Sequence, residues 1–141
     1  MKPLLPLLLT ALCATTLPAQ TPAPGAGKAV LVTGASSGIG RKIAELLAAR
    51  GYFVYAGARK PADIAELSGI KNIQGVKLDV TSPADITAAA ETVRKAGRGL
   101  HGLVNNAGIA ILGPLVETDE TELKTLFDVN VYGPYRVTKA F

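Results

Sequence analysis

The chain has 141 residues, enough for one domain with a real core but short for a complete enzyme. Fifteen Lys and Arg against eleven Asp and Glu leave a formal charge of +4 without long basic runs, which suits an anionic small molecule and excludes a nucleic-acid footprint. Cys13 is the single cysteine and His101 the single histidine, so neither an internal disulfide nor a metal cluster of the usual soft ligands can be assembled.

Lys2 precedes the run Leu4-Leu5-Pro6-Leu7-Leu8-Leu9-Thr10-Ala11-Leu12, and small residues lead on to Leu17-Pro18-Ala19-Gln20. A short positive start, an apolar stretch too short to span a bilayer and a small residue at Ala19 predict a signal peptide over residues 1–19. The alternative is an uncleaved hydrophobic anchor, with membrane association through residues 4–17. Cleavage implies an exported or periplasmic protein, and the alternative a membrane-anchored or cytoplasmic one. Leu12 is too bulky before Cys13 for a lipoprotein site. Residues 20–27, which include Pro22, Pro24, Gly25 and Gly27, read as a flexible, partly extended linker.

From Lys28 strands and helices alternate. Ala29-Val30-Leu31-Val32 is a continuous apolar strand, and it runs straight into Thr33-Gly34-Ala35-Ser36-Ser37-Gly38-Ile39-Gly40. A strand ending in a glycine-rich turn that opens a helix is an anion site, because the backbone comes close and the free N–H groups and dipole of the helix point at the ligand. The spacing Gly-x-x-x-Gly-x-Gly lacks the Gly-Lys-Ser/Thr of a nucleoside-triphosphate loop, so it predicts a dinucleotide rather than ATP. A plain tight strand–helix connection is the alternative. The helix from Gly38 places Ile39, Ile43, Leu46 and Leu47 on one buried stripe and stops at Gly51.

Phe53–Ala56 is the second strand, Pro61–Leu67 a short helix, and Gly75–Val80 the third strand. Ser82 is an N-cap before Pro83, and the helix runs through Ile86, Ala89, Ala90 and Val93 to Gly97. Leu100–Val104 is the fourth strand, with His101 at a solvated or edge position, and a last helix starts near Asp119. Right-handed crossovers then give an α/β fold: a Rossmann-like, doubly wound parallel sheet, partial, with strand order 3-2-1-4. The ligand crevice belongs at the carboxyl ends of the strands, where the glycine turn falls.

Three more features fall at those ends. Arg59 stands 19 positions after Gly40, where an acidic residue would hold a ribose 2′-hydroxyl and an Arg accommodates a 2′-phosphate. That favours NADP over NAD, the alternative being a solvated Arg beside Lys60. Asp79 can accept from the adenine amine or cap the turn into the next helix. In Asn105-Asn106-Ala107-Gly108, paired amides can lock adjacent backbone segments and the small residues leave room for a ribose or nicotinamide.

Thr33-Gly34-x-x-x-Gly38-x-Gly40, Asp79 and Asn105-Asn106-Ala107-Gly108, in this order, resemble the N-terminal half of the short-chain dehydrogenase/reductase family over residues 28–141. The resemblance implies an NAD(P)-dependent oxidoreductase that exchanges hydride between an alcohol and a carbonyl substrate, with a homo-oligomeric full-length form. It implies Gly34, Gly38 and Gly40 at the phosphates, Asp79 at the adenine, and Asn106, Ala107 and Gly108 at the ribose; Ser36, Ser37 and Ile39 of the same turn and Arg59, read from its position, complete the expected cofactor set. Asn105 is then structural.

Asn130 lies seven positions after Leu123 on the apolar stripe of the last helix, and Pro134 has no N–H for the Asn130 carbonyl, so a buried amide and a kink are expected. In the family an Asn in this place is catalytic and holds a relay water; the alternative is a buried structural Asn bonded to a neighbouring loop. Tyr135 and Lys139 match the family's Tyr-x-x-x-Lys in form but fall one helix too early, so Tyr135 is read as helix packing and Lys139 as a solvated charge. The catalytic Ser, Tyr and Lys are then expected beyond Phe141, leaving this chain a fragment that is inactive alone. A non-catalytic NADP(H)-binding module is the alternative function.

Overall fold

A computed structural model describes residues 23–141. The signal peptide expected over residues 1–19 and the first residues of the expected linker lie outside the described residues. Four strands, β1 (Ala29–Val32), β2 (Phe53–Ala58), β3 (Ile73–Lys77) and β4 (Gly102–Val104), form one parallel sheet in the order β3-β2-β1-β4. The strands start in register, with Ala29 beside Phe53 and Val30 beside Val54 and Gly102. All four residues of β1 are buried, as expected of a central strand covered on both faces.

Alternation along the strands separates two cores. Val30, Val32, Val54 and Ala56 face α1 (Gly38–Ala49) and α2 (Pro61–Ser68). Ala29, Leu31 and Tyr55 face the opposite way, against Ile86, Ala89 and Val93 of α3 (Pro83–Lys95) and the buried Val137. Ser82 caps α3 by accepting from the Asp85 N–H at 3.2 Å, and Pro83 occupies its first turn.

Where the structure departs from the sequence reading, packing is the reason. The buried face of α1 is Gly40, Ala44 and Ala48, small residues that let the helix lie close on the sheet. Ile43 and Leu47 flank that face, while Ile39 and Leu46 are 75% and 53% exposed. The expected stripe scored apolar bulk, whereas the helix approaches through its smallest side chains. β2 extends to Ala58. β3 begins at Ile73 and ends at Lys77, leaving Asp79 in the following turn rather than on the strand, and β4 is shorter than expected.

The linker reading changes as well. Residues 23–27 form a turn rather than a loose tether, with Ala26 N–H donating to the Ala23 carbonyl at 2.8 Å and Gly25 N–H to the Arg50 carbonyl at 3.2 Å. Gly25 is buried, and a Cβ there would run into the Tyr52 ring and backbone. The turn is thereby docked onto the C-terminal end of α1. Among the described residues no helix is long and apolar enough to cross a membrane.

After β4 the chain makes a short 3-10 turn at Leu115–Glu117 and then α4 (Glu120–Phe127), capped by Asp119 accepting from Thr121 N–H at 2.6 Å. A five-residue π-turn, Asp128–Tyr132, leads without a break into α5 (Gly133–Ala140). The kink expected at Pro134 is absorbed by this wider turn, which reorganises the hydrogen bonding around the missing donor.

Tyr55 sits in the core with its ring edge-on to Phe53 at 5.1 Å, and its buried hydroxyl has no partner among the described residues. Burial pushes its pKa up. Tyr55→Phe should therefore raise stability by about 1 kcal/mol, read from urea unfolding, because it removes an unsatisfied polar group without changing the packed shape.

Candidate functional site

A crevice of about 960 Å³ opens at the carboxyl ends of the strands. The turn from Gly34 to Gly40, the end of β2 from Gly57 to Arg59, Leu78 to Thr81, Asn106 to Ile109, and residues of α4 and the π-turn line it. All eleven sequence-predicted cofactor residues are on its wall: Gly34, Ser36, Ser37, Gly38, Ile39, Gly40, Arg59, Asp79, Asn106, Ala107 and Gly108. Asn130 is not.

The glycine turn is held from beneath by Thr33, a residue outside the predicted set. Its side chain is fully buried at the end of β1, and its backbone N–H donates to the Val104 carbonyl at 3.0 Å. The Thr33 hydroxyl accepts the N–H groups of Asn106 and Ala107, both at 3.0 Å, and donates to the Val104 carbonyl at 3.4 Å. One hydroxyl thus uses both lone pairs and its proton. Asn106 returns the contact through Nδ2, which donates to the carbonyls of Thr33 at 3.0 Å and Gly34 at 3.1 Å. The amide that locks the two segments is therefore that of Asn106. Asn105 is also structural, donating from Nδ2 to the Thr138 hydroxyl at 3.0 Å.

This lock leaves space for glycine alone. Gly34 has φ +64°, and a Cβ there would sit 2.8 Å from the Ala107 Cα. A Cβ on Gly40 would strike the Gly34 carbonyl and the Asn106 amide. Gly38 has φ +57° with open space around it, so its requirement is backbone conformation.

The N-terminus of α1 is bare. Its N-cap Ser37 is extended and makes no side-chain capping bond, and the first turn carries no acidic residue. By position, the amides of Gly38, Ile39 and Gly40 have no acceptor within the helix. By contrast α3 and α4 are capped by Ser82 and Asp119, and both carry acids in the first turn. At α1 alone of these three does the positive end of the dipole meet the crevice unopposed.

Asp79 serves as a turn cap while facing the crevice. Its Oδ1 accepts from the Thr81 N–H at 2.9 Å and the Thr81 hydroxyl at 2.7 Å. Burial works to raise its pKa, but the two Thr81 bonds together with Arg59 and Lys77 outweigh it and the net direction is down. Arg59 is exposed on the rim, and no carboxylate among the described residues pairs with it. Among the described residues no group of three His, Cys, Asp or Glu could hold a metal.

Asn130 departs from the expected burial, while its bonding follows the loop-bonded alternative. It is exposed rather than buried, and its amide is engaged at both ends by Ile109: Nδ2 donates to the Ile109 carbonyl at 2.8 Å and Oδ1 accepts the Ile109 N–H at 2.9 Å. The stripe that would have buried it is half open, with Phe127 48% exposed. The π-turn that carries it is clamped by Arg136, whose Nη2 reaches Asp128 Oδ1 at 2.6 Å, a pair without a sequence signal. Tyr135 does not pack as expected but is 61% exposed, with Lys139 Nζ 5.8 Å from its ring centroid. Neither residue lines the crevice.

A sequence profile described as short chain dehydrogenase matches residues 28–141. The chain belongs to this family. It is 38% identical over 125 residues to the mitochondrial D-beta-hydroxybutyrate dehydrogenase of Rattus norvegicus, covering 82% of this chain and 36% of that protein. It is 37% identical over 112 residues to the uncharacterized oxidoreductase YbbO of Escherichia coli K12, covering 79% and 41%. A short-chain dehydrogenase from Streptomyces avermitilis superposes with a TM-score of 0.75 at 40% identity, covering 81% of this chain and 42% of that one. The chain thus spans under half the length of these relatives.

Two outcomes test the frame. Thr33→Val leaves the buried N–H groups of Asn106 and Ala107 without an acceptor and should cost about 2–4 kcal/mol in urea unfolding, while Thr33→Ser stays close to the parent. The Asp79 carboxylate has a lowered folded pKa, so its contribution is complete above the ordinary carboxylate value and is lost as pH falls through the folded one. Asp79→Asn should accordingly be less stable than the parent near neutral pH, with the gap closing below about pH 4.

Proposed function

We propose that residues 28–141 bind a pyridine dinucleotide, NADP(H) in preference to NAD(H), as part of an oxidoreductase that acts between an alcohol and a carbonyl. The bare N-terminus of α1 facing the crevice carries this reading. Here three amides and a dipole are left to an anion, and two glycines bring the backbone within reach of it. The crevice volume lies at the upper end of ordinary ligand pockets, as an extended dinucleotide requires.

The residues divide by place. Ser37, Gly38, Ile39 and Gly40 would hold the diphosphate. Asp79 would accept from the adenine through the carboxylate oxygen not taken by Thr81. Arg59, with no carboxylate partner among the described residues and its guanidinium on the rim, would take the 2′-phosphate as a planar, charge-assisted contact. Ala107 and Gly108 would border the nicotinamide ribose. When bound, the nicotinamide supplies or accepts the hydride.

Asn130 is proposed as a positioning residue, since its reciprocal bonds with Ile109 fix the loop that follows Gly108. The family resemblance further assigns it a relay water. The family's Ser and Tyr-x-x-x-Lys have no match in the crevice, since Tyr135 and Lys139 stand away from it. The crevice residues are accordingly assigned to cofactor binding. The names of the rat and bacterial relatives support oxidoreductase chemistry over a purely sensing role.

Calorimetric titration with NADPH and NADH tests the reading. Arg59→Asp should weaken NADPH about tenfold or more and NADH by a much smaller factor, because only the former carries the 2′-phosphate. Equal losses would remove the assignment of Arg59. Failure of both nucleotides to bind the parent chain would remove the function.

A further inference from the structure

The charged side chains on the crevice wall are Arg59, Lys124, Asp79 and Asp128, so by formal charge the wall is neutral. Their neighbours alter that balance. Lys124 Nζ lies 2.8 Å from Glu120 Oε1, and Glu120 is not on the wall, so the Lys124 charge is largely answered from outside. That leaves Arg59 against two carboxylates. Asp79 spends one oxygen on the N–H and hydroxyl of Thr81. Asp128, at the start of the π-turn, would face an entering anion as a second negative charge.

Arg136 of α5 removes that charge from behind. It is absent from the crevice wall, yet its Nη2 donates to Asp128 Oδ1 at 2.6 Å and its Nη1 to the Asp128 carbonyl at 3.4 Å. The guanidinium also lies 5.7 Å from the centroid of the Tyr132 ring, so three contacts hold it on the π-turn. The partners stand eight positions apart, twice the spacing at which charged pairs ordinarily meet on a helix.

Stability does not account for this pair. Its side chains are 32% and 39% exposed, and water screens pairs of that kind until little is left. The π-turn has other ties, since Asn130 bonds both backbone groups of Ile109 and Gly133 packs against Val80. What Arg136 changes is the potential on a wall shared with the uncapped start of α1.

We propose that Arg136 sets the affinity of the crevice for a dinucleotide without touching it, by neutralising Asp128 from outside the wall. The inference rests on the dinucleotide reading above and adds a residue that neither the glycine turn nor Arg59 implies. With Arg136 in place, the diphosphate meets the dipole of α1 and no free carboxylate on the π-turn. A purely mechanical splint across the π-turn is the competing account, and the two differ in their response to salt and to a second substitution.

The test is calorimetric titration of NADPH and NADH into the 141-residue chain at low salt and at about 1 M salt, where the Debye length falls to about 3 Å. Arg136→Gln keeps hydrogen-bond donors but loses the charge, and it should weaken both nucleotides about fivefold at low salt and hardly at all at high salt. Arg136→Lys should stay within about twofold of the parent. Asp128→Asn alone should bind at least as tightly as the parent, and the double variant Arg136→Gln, Asp128→Asn should recover the parent affinity. Urea unfolding checks that each variant is folded. Undiminished affinity in Arg136→Gln, a loss that persists at high salt, a loss in Asp128→Asn, or a double variant that fails to recover overturns the proposal. Inorganic pyrophosphate titrated through the same series separates the two readings. If it binds the parent and neither nucleotide does, the dinucleotide reading falls and the Arg136 comparison is decided on pyrophosphate; if no anion binds, both fall.

Discussion

The structure depends on one closely packed junction, where the end of β1 meets the end of β4. The Thr33 hydroxyl accepts two backbone N–H groups from the Asn106-Ala107 segment, and the Asn106 amide donates to two carbonyls of the β1 turn. Four hydrogen bonds at 3.0–3.1 Å fix the separation of two loops that are over seventy residues apart in sequence. Because neither loop can retreat, a Cβ at position 34 or 40 has no place to go. Glycine at 34 and 40 is therefore required by the lock itself.

That junction also determines where charge is felt. It holds the start of α1 at the crevice with its first amides uncapped, whereas α3 and α4 begin under Ser82 and Asp119. A side-chain cap at α1 would satisfy one of these amides internally. Without a Ser37 cap, α1 starts without that local contribution to helix stability. Helix direction does the rest: with strands parallel, every crossover helix starts toward the crevice and ends at the opposite face. Of the crossover helices α3 shows the full charge pattern, with Asp85 in its first turn and Arg94 and Lys95 in its last.

Beyond β4 the packing follows another rule. Gly133 approaches Val80 so closely that a Cβ would lie 2.8 Å from its Cγ2, and the π-turn before it is clamped by Arg136 on Asp128. Asn130 rides on that turn and holds Ile109 through both ends of its amide. The loop after Gly108 is thereby tied to a helix rather than left to the solvent. The apolar groups Phe127, Val131 and Tyr135 stay exposed on the same stretch among the described residues.

The sequence by itself determined the alternation of strands and helices, their order in the sheet, the Ser82 and Asp119 helix starts, and the glycine turn that joins β1 to α1. These are local: each rests on residues a few positions apart, through periodicity, capping chemistry or glycine conformation. It also marked every residue that the crevice later gathered at its glycine turn, Arg59, Asp79 and Asn106-Ala107-Gly108. Tertiary structure alone decided which face of α1 is buried, because close approach selects Gly40, Ala44 and Ala48 over the bulkier Ile39 and Leu46. It made Thr33 the hub, turned residues 23–27 into a docked turn, and gave Asn130 to Ile109 instead of the core. None of these has a local signal, since each depends on a partner many residues away that is brought near only when the sheet closes.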